Sequence, residues 1–140
     1  MYENVVVGAD DSNTAREAVR QAARLAALCG ARLHIVTAQK PRVLQGPAVP
    51  EEFRYSLTGD EADGLLATLA LDARSAGAEV VTHVRTKDAA DSILEVASEV
   101  DADLIVVGNK GMQGPRRVLG SIPNSVLHQA PCAVLMVKTT

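Results

Sequence analysis

The chain has 140 residues, 47% hydrophobic and 22% charged, which is ordinary for a globular protein with one buried core. Its 14 Lys and Arg oppose 17 Asp and Glu, and no basic stripe is interleaved with aromatic residues, so nucleic acid is not an expected partner. No apolar run approaches the ~18 residues of a membrane helix, and the N-terminus lacks the features of a signal peptide. We expect a cytoplasmic protein with a single domain, residues 1–140, and no membrane partner.

Strand and helix patterns alternate along the chain. Short apolar runs, several of them rich in β-branched residues, predict five strands. They cover residues 5–7, 33–38, 80–84, 104–107 and 133–137.

Four helices are predicted between the strands. The first covers 14–29, with a capping box formed by Thr14 and Glu17 and an end at Gly30. The second covers 60–75 and has the clearest helical period; its apolar positions are Ala62, Leu65, Leu66, Leu69, Ala70 and Ala73. The third covers 88–100, and the fourth begins near Ser121.

Helices of this length between strands predict a parallel sheet with right-handed crossovers. The predicted fold is therefore α/β, a three-layer doubly wound sheet of five parallel strands with four helices. Residues 40–59 are the exception, because Pro41, Pro47 and Pro50 make a long irregular connection. This connection is either a lid or a plain excursion over the surface.

Residues 108–121 have the composition of a loop that wraps an anion. They contain four glycines and three cations without an acidic residue, and they directly follow an apolar strand. Glycine lets backbone N–H groups approach a ligand closely, so phosphate is the first candidate. The cations Lys110, Arg116 and Arg117 either face that phosphate or lie in solvent.

The first strand ends in a similar way to the fourth. Residues 5–10 and 105–110 both run from an apolar strand through glycine into polar residues. Ligands of doubly wound sheets lie at the carboxyl ends of the strands where strand order reverses, which predicts a site between the first and fourth strands. Asp10 there is able to bind ribose hydroxyls or a metal ion; alternatively, Asp10 or Asp11 caps the first helix.

No catalytic constellation is visible in the sequence. The spacing of His34, His83 and His128 suggests neither a metal site nor a triad. Cys29 and Cys132 form no CxxC pair, so we expect both to be reduced. An enzyme is therefore not expected.

Four segments together resemble the universal stress protein family over essentially the full length of the chain. They begin at Val5, Ala102, Gly120 and Ala130, and read VVVGADDS, ADLIVVGNKGM, GSIPNSV and APCAVLMV. The resemblance implies a stress-response or signalling module that binds ATP.

The resemblance also implies the binding residues. Gly108, Gly111, Gly120 and Ser121 would hold the phosphates, with Lys110, Arg117 and Ile122 beside them. Ala9, Asp10, Thr37 and Val107 would line the adenosine side. If Asp10 also holds Mg²⁺ over the phosphates, slow hydrolysis of ATP could follow, although no general base is visible.

Two features leave alternatives open. The spacer of residues 112–119 has eight residues where ATP-binding relatives have nine, and Asp11 stands where glycine is common. The alternatives are a cyclic-AMP-binding member, a nucleotide-independent dimeric interaction protein, and a phosphate-transferring enzyme. Relatives commonly dimerise through their last strand, and Ala133–Val137 would form such an edge.

Overall fold

The computed structural model describes residues 1–10, 12–39, 57–109 and 122–138. These residues form five strands and four helices in alternation. Their bounds are β1 Asn4–Gly8, α1 Asn13–Cys29, β2 Arg32–Ala38, α2 Gly59–Ser75, β3 Glu79–Arg85, α3 Ala89–Glu99, β4 Leu104–Gly108, α4 Ile122–Gln129 and β5 Ala133–Val137.

The five strands form one parallel sheet in the order β3-β2-β1-β4-β5. Chain order reverses where β1 pairs with β4, with Val5 opposite Leu104 and Val7 opposite Val106. The predicted α/β sheet with four helices is confirmed, and so is the adjacency of the first and fourth strands.

Alternate residues of the central strands point into two separate cores. Val5 and Val7 pack with the alanine-rich face of α1 and with α2, whereas Val6 packs with α3 and α4. All three valines are fully buried. Because successive strand residues point to opposite faces, this packing gives the three predicted layers and covers the sheet centre on both sides.

The start of α1 differs from the prediction. Ser12, in extended conformation, is the N-cap and its Oγ accepts from Ala15 N at 3.1 Å. Thr14 already lies inside the helix, so the capping box predicted from Thr14 and Glu17 is wrong. The predicted end is confirmed, because Gly30 adopts φ 68° and donates to the last carbonyls of the helix, a conformation that favours glycine.

The second helix has the capping box that the first lacks. Thr58 Oγ1 accepts from Glu61 N at 3.3 Å, and Glu61 Oε1 accepts from Thr58 N at 3.0 Å. All six apolar positions predicted for this helix are buried. Most of the predicted 40–59 connection, residues 40–56, lies outside the described residues.

Cys29 and Cys132 are free and partly buried, and burial together with the nearby Asp103 raises the pKa of the Cys132 thiol, which keeps it in its less reactive protonated form. Among the described helices, none has the length and apolarity needed to cross a membrane.

Candidate functional site

A cavity lies at the carboxyl ends of β1 and β4, where strand order reverses. Two helices, α3 and α4, close it from one face, and the turn into α1 closes it from the other side. Its lining residues are Gly8, Ala9, Asp10, Ser12, Thr14, Ala15, Val36, Ala38, Ala89, Ile93, Val107, Gly108, Ile122 and Pro123. This is the crevice at which doubly wound sheets bind their ligands.

Five of the predicted site residues line this cavity. They are Ala9, Asp10, Val107, Gly108 and Ile122. The predicted phosphate-binding residues Lys110, Gly111, Arg117, Gly120 and Ser121 lie outside the described residues. Their predicted roles therefore stay predictions, although the ends of both flanking elements, β4 and α4, meet at the cavity.

Thr37 is not part of the lining. Its side chain is buried, and its Oγ1 donates to the Ala9 carbonyl at 3.2 Å. Its neighbours Val36 and Ala38 line the cavity instead, because alternate strand residues face opposite sides of the sheet. Thr37 thus supports the site indirectly, by tying the end of β1 to β2.

Asp10 holds the turn that leads from β1 into α1. Its Oδ1 accepts from Ser12 N at 2.7 Å, and Ser12 in turn caps the helix. Asp10 is therefore not the N-cap, and the alternative that placed it there is wrong for this residue. Because it both lines the cavity and fixes the turn, its carboxylate is positioned by backbone hydrogen bonding.

Two strand-end glycines permit the helices to pack closely on the sheet. A Cβ on Gly8 would lie 2.3 Å from Ile93 Cδ1. A Cβ on Gly108 would lie 2.6 Å from Thr14 Cγ2 and 3.0 Å from the Thr14 backbone oxygen. Gly108 was predicted as a phosphate contact; the structure adds a packing requirement that the sequence did not reveal.

The walls of the cavity differ in chemistry according to the element that supplies them. Strand β2 and helix α3 contribute the aliphatic side chains of Val36, Ala38, Ala89 and Ile93, while the turn into α1 contributes Asp10 and two hydroxyl side chains. The first turn of α1 also carries the positive end of the helix dipole. The cavity thus offers an apolar surface for a flat ring beside polar groups.

Several lining residues were not predicted from the sequence as site residues. Ile93 and Ala89 lie within the predicted third helix, residues 88–100, and neither was predicted as a site residue. The only available signal was their position near the start of a helix that follows the third strand, since the start of such a helix lies at the carboxyl edge of the sheet.

Two of the histidines form a contact that the sequence did not predict. His34 Nδ1 lies 2.9 Å from His83 Nε2, although the sequence showed no relation between the two residues. Within the described ranges, no group of three or more His, Cys, Asp or Glu could hold a metal ion. The pair is therefore a hydrogen-bonded contact, separate from the cavity lining.

A sequence model of the Universal stress protein family matches residues 1–138, and the chain belongs to this family. Universal stress protein Rv1636 of Mycobacterium tuberculosis is 35% identical, with 99% of this chain and 98% of the relative covered. Putative universal stress protein SAOUHSC_01819 of Staphylococcus aureus is 30% identical, with 99% and 85% covered.

Two similar solved structures are complexes with nucleotides. A universal stress protein in complex with cAMP has a TM-score of 0.83 and 35% identity, covering 99% of both chains. The Archaeoglobus fulgidus universal stress protein in complex with dAMP has a TM-score of 0.72 and 29% identity, covering 98% of both chains. Both similarities extend over the elements that form the cavity.

Proposed function

We propose that residues 1–140 act as a single cytoplasmic domain that binds an adenine nucleotide in the cavity between β1 and β4, as a stress-response or signalling module. The observation that carries the proposal is the position and lining of this cavity, at the strand-order reversal of a fold whose relatives include proteins solved with cAMP and dAMP. The proposed role is binding rather than chemistry, because among the described lining residues no general base stands beside Asp10.

The proposed orientation follows from the wall chemistry. The base lies against the aliphatic side chains of Val36 and Ile93, where burial of apolar surface favours a flat ring. The ribose hydroxyls donate to the Asp10 carboxylate. The phosphates then extend toward residues 108–121, where Lys110, Gly111, Arg117, Gly120 and Ser121 bind them together with the N-terminal end of α4 at Ile122.

ATP is the proposed ligand, and Asp10 is the residue that would help to hold Mg²⁺ where this ion accompanies the nucleotide. Such an ion is usually held by one or two carboxylates together with the substrate phosphates, and a single lining carboxylate fits that donor set. The bound ion would neutralise phosphate charge beside Asp10. The residues of this chain would position the nucleotide and supply charge, without taking part in a reaction.

Cyclic AMP is the second candidate ligand. The structure solved with cAMP shares 35% identity with this chain, and the eight-residue spacer 112–119 is one residue shorter than the pattern of ATP-binding relatives. A shorter loop can surround the single phosphate of cAMP more readily than the three phosphates of ATP. The two candidates share the base and ribose contacts and differ in the phosphate region.

Calorimetric titration with ATP, ADP, AMP and cAMP tests the proposal. We expect saturable binding of at least one of them, and much weaker binding of GTP. Gly111→Val and Gly120→Val should reduce the affinity for ATP while leaving the circular dichroism spectrum unchanged. Absence of binding to all four ligands at millimolar concentration would overturn the proposal and favour a nucleotide-independent interaction protein.

We further propose a homodimer formed through β5, Ala133–Val137. This strand is an edge of the described sheet, and Leu135 is 41% exposed on it. An exposed apolar edge presents unpaired backbone groups to a second copy.

A charge in this edge should separate the two copies. We expect Leu135→Lys to raise the dimer dissociation constant by at least about tenfold, since like charges directly opposed across paired strands are destabilising. Sedimentation equilibrium measures the change. Leu71→Lys, which alters an exposed leucine of α2, is the matched control, and an equal effect of both variants would contradict the assignment to β5.

A further inference from the structure

A hydrogen-bonded chain of three side chains links the neighbouring strands β1, β2 and β3. Asn4 Oδ1 lies 3.1 Å from His34 Nε2, and His34 Nδ1 lies 2.9 Å from His83 Nε2. His34 is buried on β2, while His83 is half-buried on the edge strand β3. The contact between His34 and His83 therefore joins β2 to the edge strand β3, and we call this pair the clasp.

The contacts determine which nitrogen carries the proton. The Asn4 oxygen can only accept, so His34 Nε2 carries the ring hydrogen and His34 Nδ1 presents a lone pair. His83 Nε2–H donates to that lone pair. A first added proton goes to the other nitrogen of His83 and preserves this bond, whereas a proton on His34 Nδ1 would set two N–H groups against each other.

The surrounding charges oppose a proton on His34. Burial, as the largest cause, together with the charges of His83 and Arg32 lowers the pKa of His34 to about 4. Burial and Arg85 lower the pKa of His83, partly opposed by Glu99 of α3. His34 thus stays neutral in the folded protein at pH values where free histidine is half protonated.

The clasp adjoins the wall of the cavity. His34 and Val36 lie on the same face of β2, one strand period apart, and Val36 is the register partner of His83. Val36 lines the cavity. A displacement of β3 from β2 at His83 would therefore act directly on the part of the cavity wall that Val36 forms.

We propose that the His34–His83 pair is an acid-sensitive clasp, in which a proton on His34 releases edge strand β3 from β2 and loosens the β2 wall of the cavity. The release of β3 does not depend on the proposed nucleotide function. The weakening of ligand binding rests on the proposed nucleotide function.

Hydrogen exchange of β3 measures the release. Between pH 6.5 and 4 the folded protein resists protonation at His34 while the open form accepts it, so acid favours opening. We expect the protection factors of β3 amides to fall by roughly 10-fold or more over this window, relative to those of β5. Equal loss of protection in both edge strands would overturn the proposal.

His83→Gln separates the clasp from ordinary acid destabilisation. A glutamine amide can donate to neutral His34 and, after rotation, accept from protonated His34. The variant should therefore keep β3 protected at pH 7 and lose most of the selective acid effect. His34→Gln, which removes the buried titrating group, should also lose it, and His128→Gln on the exposed end of α4 should behave like wild type. A selective acid effect that persists in both clasp variants contradicts the proposal.

Ligand titration at pH 7.5 and 5 tests whether release of the clasp weakens ligand binding. If the wild type binds an adenine nucleotide at pH 7.5, we expect its affinity to fall more at pH 5 than that of His83→Gln. An identical fall in the two proteins overturns the coupling to the cavity. Absence of binding at pH 7.5 instead rejects the proposed function and leaves the exchange experiment as the independent test of the clasp.

Discussion

Replacing Gly108 by alanine is expected to destabilise the protein by ~1–3 kcal/mol, the usual cost of forcing extra atoms into a packed interior. The added Cβ would lie 2.6 Å from Thr14 Cγ2 and 3.0 Å from the Thr14 backbone oxygen. The methyl group can rotate away, but the backbone oxygen moves only if the first turn of α1 moves. Chemical denaturation measures the change in the free energy of unfolding.

Two matched variants test the cause of this loss. Gly64→Ala adds the same methyl group on α2 where no atom lies within 4 Å, so it should stabilise by roughly 0.5–1 kcal/mol through helix propensity. Thr14→Ser removes the Cγ2 methyl and should recover part of the loss in combination with Gly108→Ala. If the double variant is as unstable as the sum of the singles, the contact with the Thr14 Cγ2 methyl is not the cause.

The Gly108 result also bears on the phosphate loop. Residue 108 ends β4 and begins the segment predicted to bind phosphates, and its close approach to Thr14 fixes α1 beside the end of β4. A loss of nucleotide affinity in Gly108→Ala alone would not prove a direct phosphate contact. Gly111→Val and Gly120→Val are therefore the better probes of the loop.

The layers of the fold were predictable because their signals are local. The six apolar positions of α2 recur at helical spacing over the whole element, and every one is buried. The start of α1 was not predictable in the same way, because Ser12 and Thr14 are both good capping residues. The choice depends on which residue takes the extended backbone conformation, and that is set by the turn at Asp10.

The position of the cavity was predictable from the sequence, but only part of its lining was. Glycine after an apolar strand located the ends of β1 and β4, and parallel pairing brought them together. The wall from Val36 and Ile93 depends on which face β2 turns toward α3 and on how closely that helix packs. Those are tertiary relations between distant segments, as is the register that places His34 beside His83.

Replacing Asp10 by asparagine should separate its structural role from its proposed role in binding. The asparagine side-chain oxygen can still accept from Ser12 N, the bond seen at 2.7 Å, so the turn and the free energy of unfolding should change little. The negative charge is lost. Hydrogen bonds to charged groups contribute about 1.5–3 kcal/mol, so we expect the affinity for the adenine nucleotide to fall by roughly 10- to 100-fold.

Asp10→Ala removes both functions and is the necessary comparison. Without an acceptor for the partly buried Ser12 N–H, the turn into α1 should be destabilised by about 1 kcal/mol, the usual net contribution of one hydrogen bond, in addition to the loss of affinity. Titration with AMP, which carries one phosphate, and with ATP in the presence and absence of Mg²⁺ then locates the effect. An equal fall for all ligands indicates contact with the ribose, whereas a fall restricted to ATP with Mg²⁺ indicates a role at the metal ion. If Asp10→Asn binds every nucleotide as tightly as wild type does, the carboxylate acts only on the turn, and the ribose must be held by other groups of the cavity.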